Sequence, residues 1–154
     1  MNKNVALLVF AAAVLVLSSC TTLVQKPEGF AEVLPWQVAA AQYKAVSPEG
    51  MIFRVRTVKN YPVQTLEFWA EALQNHLEKE GYRGISDGLS FETADNSGMI
   101  FEWAMPYGNE SYIYLTAIVV SEKRIAVAEA AAEHKIYHRY REALLESLAS
   151  IAIP

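Results

Sequence analysis

The feature that most constrains this chain is an unbroken apolar run near its start, Val5–Leu17. A short polar stretch with one positive charge precedes the run, and the small residues Ser18 and Ser19 follow it. A charged start, an apolar core and small residues before a cleavage position are typical of a secretory signal. The run is shorter than the roughly 20 residues that a helix needs to cross a bilayer. We therefore predict that residues 1–19 are a removable signal peptide.

The signal ends in the letters LSSC, and this motif resembles the lipobox of bacterial lipoproteins. The resemblance implies cleavage before Cys20, a diacylglyceryl group on its thiol, and acylation of the new amine with a fatty acid such as palmitate. It implies no cofactor other than this covalent lipid, and a membrane as partner. Thr21, in place of aspartate, resembles lipoproteins sorted to the outer membrane, so a host with two membranes would hold the protein there, facing the periplasm.

The charge balance of the mature chain is acidic. Loss of Lys3 with the signal leaves 12 of the 13 Lys and Arg residues against 17 Asp and Glu residues, a net charge of −5. Nucleic-acid binding needs clustered Lys and Arg, so no nucleic-acid partner is expected. The single cysteine, Cys20, excludes an internal disulfide, so apolar burial must hold the fold together.

The order of periodic segments predicts one α+β domain over residues 33–154. Residues 20–32 contain Pro27-Glu28-Gly29, which breaks regular structure, and they are predicted to form a lipidated tether. The predicted elements, in chain order, are a hairpin of 40–46 and 51–58, a helix from Leu66 to Gly81, a short strand over 89–93, a meander of 99–105, 112–120 and 124–130, and a closing helix over 133–150. An antiparallel sheet, hairpin plus meander, packed with two amphipathic helices is the expected architecture. The alanines of 124–130 also suit an early start of the last helix.

This element order resembles the PsbP-like fold. The likeness rests on the phrases FRVR at Phe53–Arg56, FWAEAL at Phe68–Leu73, GY at Gly81-Tyr82, and the run from Tyr112 into RIAVAEAA. The members of that fold class serve as accessory or binding proteins. The resemblance therefore implies a non-catalytic role, and it transfers no functional residue.

Aromatic residues around the meander are the main candidates for a binding surface, since Tyr and Trp are enriched where proteins meet. The candidates are Tyr61, Trp103, Tyr107, Tyr112 and Tyr114. The same alternating rows also suit a protein core, and that alternative stays open.

Basic residues of the first hairpin form a second candidate. Lys44, Arg54 and Arg56 are spaced to lie on one face of the two strands, as a basic strip or as a solvated sheet face.

Two histidines at helical spacing are the weak candidates for a metal site. His134 and His138 are separated by one helical turn, but Lys135 stands where zinc proteases carry glutamate. No third ligand is identifiable, and solvated helix histidines are the better interpretation of the pair. The carboxylates Glu92 and Asp95 lie among turns and are interpreted as turn formers, because their spacing does not fit a calcium loop.

These observations favour a membrane-anchored cell-envelope lipoprotein that acts as a binding or accessory module through contacts with a protein partner. No catalytic residue is predicted. Two alternatives remain: a metal-dependent or hydrolytic enzyme using His134 and His138, and a small-ligand carrier with a pocket between sheet and helix.

Overall fold

The computed structural model describes residues 23–33, 42–107 and 110–153. Over these ranges the chain is an antiparallel sheet packed with two helices, which confirms the predicted α+β class. The strands are β1 (Ala31–Glu32), β2 (Gln42–Val46), β3 (Ile52–Lys59), β4 (Arg83–Gly84), β5 (Leu89–Glu92), β6 (Ser97–Tyr107), β7 (Glu110–Val120) and β8 (Arg124–Glu133). The helices are α1 (Leu66–Lys79) and α2 (His134–Ala149). The predicted signal and Cys20 lie outside the described residues.

The sheet joins the hairpin to the meander through one long strand pair. The strand order is β1-β2-β3-β8-β7-β6-β4, with β5 paired to β6. β3 pairs with β8 over its whole length, from Ile52 opposite Ala131 to Lys59 opposite Arg124. The two units therefore share one sheet and one core, although they are far apart in sequence.

The first helix begins and ends where its sequence predicts. The Thr65 hydroxyl accepts a hydrogen bond from the Phe68 N–H at 3.4 Å, which satisfies an otherwise unpaired helix donor. Gly81, with φ +92°, follows the last turn in the left-handed conformation. The apolar side of α1 buries Ala70 and Leu77 against one face of the sheet.

The second helix covers the opposite face. Tyr137, Leu144 and Leu148 are fully buried, and they pack in one cluster with Phe53 and Leu115 of the sheet. β7 lies between β6 and β8 and sends buried side chains to both faces, as predicted for a strand covered on two sides.

The alanine-rich return strand is a strand throughout. β8 extends to Glu133, and α2 begins only at His134. The alanines that face α2 are buried, and their small size lets the helix lie close to the sheet; they are Ala126, Ala128, Ala130 and Ala132. Long-range pairing with β3 and β7 therefore overrides the helix propensity of alanine.

The segment predicted as a tether is packed on the domain, so that expectation needs correction over 23–32. Pro27 and Phe30 are buried, Ala31–Glu32 pairs with β2, and the Leu23 backbone pairs with Ala152. Pro and Gly do break regular structure here, but the irregular segment still fills the core beside α2. Local composition predicted the break and could not predict the packing.

No helix among 23–33, 42–107 and 110–153 is long and apolar enough to span a membrane.

Candidate functional site

A groove runs over the part of the α1 face of the sheet that α1 leaves uncovered. The groove is open to solvent and has a volume of about 670 Å³. It lies at the end of the sheet where β8 leads into α2. The residues that define this sheet groove are Lys44, Ile52, Arg54, Tyr82, Tyr114 and Glu129. Ile52 is 44% exposed, so the groove offers apolar surface as well as charge.

Glu129 is the centre of a hydrogen-bonded network in the sheet groove. The Tyr114 hydroxyl donates to Glu129 Oε1 at 2.6 Å, and Arg54 Nη2 donates to Oε2 at 2.6 Å. Arg56 Nε lies 3.6 Å from the same Oε2 atom. The side chain of Glu129 is 17% exposed, so these partners hold a carboxylate that is largely removed from water.

The network shifts the pKa values of its two titratable members in opposite directions. Burial raises the pKa of Glu129, but the hydrogen bonds from Tyr114 and Arg54 outweigh burial and hold this pKa below its ordinary value. Burial, followed by the hydrogen bond to Glu129, raises the pKa of Tyr114. Near neutral pH the carboxylate therefore stays ionised and the phenol stays protonated, which fixes the directions of these hydrogen bonds.

Cations outnumber carboxylates among the residues that define the sheet groove. Lys44 lies directly opposite Arg54 on the neighbouring strand, and like charges in that position repel. The predicted basic strip of Lys44, Arg54 and Arg56 thus lies on one face, and Glu129 is the carboxylate that bonds to its arginines. The sheet groove is suited to receive a negatively charged group.

An aromatic pair forms one wall of the sheet groove. The rings of Tyr82 and Tyr114 have centroids 5.4 Å apart and are tilted by 42°. Tyr82 follows Gly81 at the end of α1 and was not predicted as a binding residue, because a single tyrosine after a helix carries no periodic signal. Glu129 was missed for another reason: its hydrogen-bond partners are distant along the chain.

The described members of the predicted aromatic surface lie in different surroundings. Trp103 is 1% exposed and donates from Nε1 to the Thr116 hydroxyl at 3.0 Å, so it belongs to the core, which was the open alternative. Tyr61 is 83% exposed in the loop after β3. Tyr114 lines the sheet groove, Tyr112 lines a different cavity, and the side chain of Tyr107 lies outside the described residues.

That second cavity, of about 270 Å³, lies on the α2 side of the sheet and contains the histidine pair. His134 Nε2 and His138 Nε2 are 3.1 Å apart, so the structure brings the two rings together. Over the described ranges, no group of three or more His, Cys, Asp and Glu side chains is placed to hold a metal ion. The metal-dependent alternative thus rests on two histidines, and metal analysis of the purified protein with a His138→Ala comparison tests it.

Beside the histidines lies an ion pair that sequence reasoning did not find. Glu102, 8% exposed, accepts hydrogen bonds from Arg141 Nε at 2.7 Å and from the Tyr137 hydroxyl. Burial raises the pKa of Glu102, but the Arg141 and Tyr137 hydrogen bonds outweigh it and hold the pKa below its ordinary value. One signal in the sequence could have predicted this ion pair. It is a glutamate on the inward-facing side of β6 together with a tyrosine and an arginine one turn apart on α2.

Glu92, one of the carboxylates beside the β5–β6 turn, is hydrogen-bonded across that turn. Glu92 accepts a hydrogen bond from the Ser97 hydroxyl at 2.9 Å, and the Thr93 hydroxyl donates to the Asn96 carbonyl at 2.9 Å. These contacts support the interpretation of Glu92 as a turn former.

The fold is shared with solved structures of low sequence identity. The chain is similar to LpqN, a Mycobacterium tuberculosis protein involved in cell envelope biogenesis, with TM-score 0.59 and 14% identity over 85% of this chain and 83% of LpqN. It is similar to the cyanobacterial PsbP protein of Synechocystis sp. PCC 6803, with TM-score 0.57 and 6% identity over 90% of this chain and 96% of that one. A Pseudomonas aeruginosa protein of unknown function aligns with TM-score 0.60 and 6% identity over 86% of this chain and 96% of the other.

These likenesses show the PsbP-like fold that the element order predicted. No family model matches the sequence, and comparison with curated proteins finds no match either.

Proposed function

We propose that this chain is a lipid-anchored accessory protein of a bacterial cell envelope, and that it binds a protein partner through the sheet groove. The observation that carries the proposal is the groove itself, an open surface that combines paired tyrosines, exposed Ile52 and more cations than carboxylates. Aromatic and Arg residues beside apolar surface are the composition of protein-binding sites.

The proposed location of the protein in the cell is inferred mainly from the sequence. The lipobox-like motif before Cys20 supports a lipid anchor, and Thr21 supports an outer-membrane location in a host with two membranes. The likeness to LpqN, which is described as involved in cell envelope biogenesis, supports an envelope role.

The titration of the groove favours binding over proton-transfer chemistry. A general acid or base works best when its pKa lies near the operating pH. The pKa of Glu129 is lowered and that of Tyr114 is raised, so both move away from neutrality. Both groups are therefore better suited to present fixed hydrogen bonds than to exchange protons.

The experiment is a quantitative affinity capture from detergent-solubilised membranes with matched charge reversals. Lys44→Glu reverses one groove cation and places a carboxylate opposite Arg54, a favourable cross-strand pair that preserves the sheet. Lys135→Glu makes the same charge change on an exposed position in the first turn of α2, which covers the opposite face of the sheet.

We expect proteins captured by the wild type to be retained by Lys135→Glu and depleted at least about tenfold with Lys44→Glu, because the loss of one charged contact in an interface weakens binding by this order of magnitude. The same proteins in equal amounts with all three chains would contradict the groove as the binding surface.

The small-ligand carrier remains a second candidate because of the groove volume. About 670 Å³ falls within the range of small-molecule sites, roughly 300–1,000 Å³. Native mass spectrometry of the detergent-extracted protein distinguishes the two candidates. A small molecule that copurifies with wild type and Lys135→Glu, and not with Lys44→Glu, would favour the carrier.

A further inference from the structure

Leu23 and Gln25, which follow the predicted lipidation position, are hydrogen-bonded to residues at and after the C-terminal end of α2. The Leu23 N–H donates to the Ala152 carbonyl at 3.1 Å, and the Ala152 N–H donates to the Leu23 carbonyl at 2.9 Å. The Gln25 N–H donates to the Ser150 hydroxyl at 2.8 Å, and the Ser147 hydroxyl donates to the Gln25 carbonyl at 2.5 Å. The described segment 23–33 is thus part of the folded domain.

This attachment leaves very little free chain between the anchor and the domain. Only Thr21 and Thr22 separate Cys20 from Leu23. Three residue steps of fully extended chain span at most about 10 Å. An acylated Cys20 lies at the bilayer surface, so Leu23 cannot lie more than about this distance from the lipid headgroups.

The surface at this place suits contact with an interface between water and lipid. The apolar side chain of Leu23 is 68% exposed, and Val24 and Ile153 beside it are partly buried against the core. We call Leu23, Val24, Ala152 and Ile153 the anchor corner of the domain. Transfer of the exposed Leu23 side chain from water to the boundary between headgroups and acyl chains is favourable.

We propose, building on the lipid anchor of the proposed function, that the anchor corner rests against the lipid headgroups, so that the domain is held at the bilayer and cannot reach across the periplasm. The occupant of this surface is the bilayer itself. The argument depends on the length of chain between Cys20 and the first hydrogen bond of the fold, and not on the groove.

The same geometry separates the sheet groove from the anchor corner. β8 leads into α2 beside the groove, and the anchor corner follows the last turn of α2. α2 has 16 residues and is therefore about 24 Å long. The groove lies near the first turn of α2 and on the opposite face of the sheet, so a partner at the groove need not compete with the membrane for the same surface.

The test places a fluorescent thiol label at each end of α2 in the full lipoprotein. Acylation consumes the thiol of Cys20, the single native cysteine, so an introduced cysteine is the one free thiol. Leu23→Cys places the label at the anchor corner without removing the backbone bonds of Leu23. Lys135→Cys places it on an exposed position in the first turn of α2, about 20 Å from the last turn.

Each labelled protein is reconstituted into vesicles of phosphatidylethanolamine and phosphatidylglycerol that contain a headgroup spin-labelled phosphatidylcholine as a short-range quencher. We expect the Leu23→Cys label to be quenched several-fold more strongly than the Lys135→Cys label. A flexible Gly-Ser insertion between Thr22 and Leu23 should lower quenching at Leu23→Cys while the protein still floats with the vesicles.

Two distinct failures separate this inference from the proposed function. Protein that floats with the vesicles but shows equal quenching at both positions overturns the anchor corner and leaves the lipid anchor intact. Protein that does not float at all overturns the anchor, and the anchor corner with it.

Discussion

A single buried amide, Asn60, organises the loop between β3 and α1. Its side-chain nitrogen donates to the carbonyls of Gln64 and Ser121 at 3.0 Å each. Its side-chain oxygen accepts from the Gln64 N–H at 3.0 Å and from Trp69 Nε1 at 2.8 Å. The residue is 4% exposed, so each of these partners depends on Asn60 to replace water.

We predict that Asn60→Ala lowers the free energy of unfolding by about 2–3 kcal/mol, since it leaves buried donors and acceptors unpaired. Chemical denaturation of the purified protein measures this change. Asn75→Ala, at an exposed position of α1, is the matched control and should change stability by less than about 0.5 kcal/mol. Equal effects of the two substitutions would contradict the role of Asn60.

The Glu102–Arg141 pair makes stability depend on pH. The folded state holds the pKa of Glu102 below its ordinary value of about 4.3. Its stabilisation is therefore fully present above the unfolded-state pKa and is lost as the pH falls through the lower folded-state pKa. We predict that Glu102→Gln costs about 1–3 kcal/mol at pH 7 and progressively less in acid.

Denaturation of wild type and Glu102→Gln across this pH range measures the difference. The other carboxylates are common to both proteins, so their titration cancels in the comparison. A difference that does not change with pH would exclude the ionised Glu102 as its source.

Residues with local partners could be predicted from the sequence, and residues with distant partners could not. The alternation in β3 was enough to place Arg54 and Arg56 together on one face. Glu129, which binds both, lies on a strand that pairs with β3 only in the folded chain. The burial of Trp103 was not predictable for a similar reason. Alternation predicts which residues share a face of the sheet, but it does not predict which positions on that face become buried.

At the scale of elements, the end of α1 depends on the backbone of one glycine. Gly81 has φ +92°, and no atom lies within 4 Å of the position that a Cβ would take. We predict that Gly81→Ala lowers the free energy of unfolding by about 1 kcal/mol, because the left-handed conformation penalises a side chain even in open space.

Gly84→Ala is the matched control for this prediction. Gly84 does not have a positive φ, and a Cβ at this position would make only ordinary contacts, the nearest at 3.7 Å. Chemical denaturation should show a clearly smaller loss than for Gly81→Ala. An equal loss of stability in both variants would indicate that the effect comes from replacing a glycine in general, and not from the left-handed conformation that ends α1.

The N-terminal segment is predicted to contribute to stability as an element of the domain. Phe30 is 3% exposed, and its ring lies edge-on to Tyr140 with centroids 5.1 Å apart. Phe30→Ala should cost about 3–5 kcal/mol, as for other buried phenylalanines. Phe68→Ala, at a position 47% exposed on α1, should cost under about 1 kcal/mol. Similar small losses of stability for both variants would indicate that the N-terminal segment is a free tether and does not contribute to the stability of the domain.

Elements with a strong local period were predictable, and elements made by distant pairing were not. The apolar stripe of α1, the turn residues Pro48-Glu49-Gly50 between the two hairpin strands, and the alternation of the meander are each complete within a short stretch. β1 and β4 are two residues each and exist only because β2 and β6 offer an edge. The packing of 23–32 depends on α2, which lies at the other end of the chain.

At the scale of the whole molecule, we propose that a lipid anchor, a short connection and a binding surface are combined in one domain. The fold class followed from element order, because two amphipathic helices and an antiparallel meander have few compact arrangements. The sheet groove was not predictable, since it is the surface that remains when α1 covers only part of its face. The connection of only two residues between Cys20 and the domain became visible once the contacts of Leu23 were known.

Both the proposed envelope location and the proposed membrane contact of the anchor corner require the lipid at Cys20. Intact-mass spectrometry of the native protein, followed by sequencing of its N-terminal peptide, tests this directly. We predict a chain that begins at Cys20 and carries diacylglyceryl and amide-linked acyl groups. A chain that still begins at Met1, or a Cys20 thiol without lipid, would contradict it.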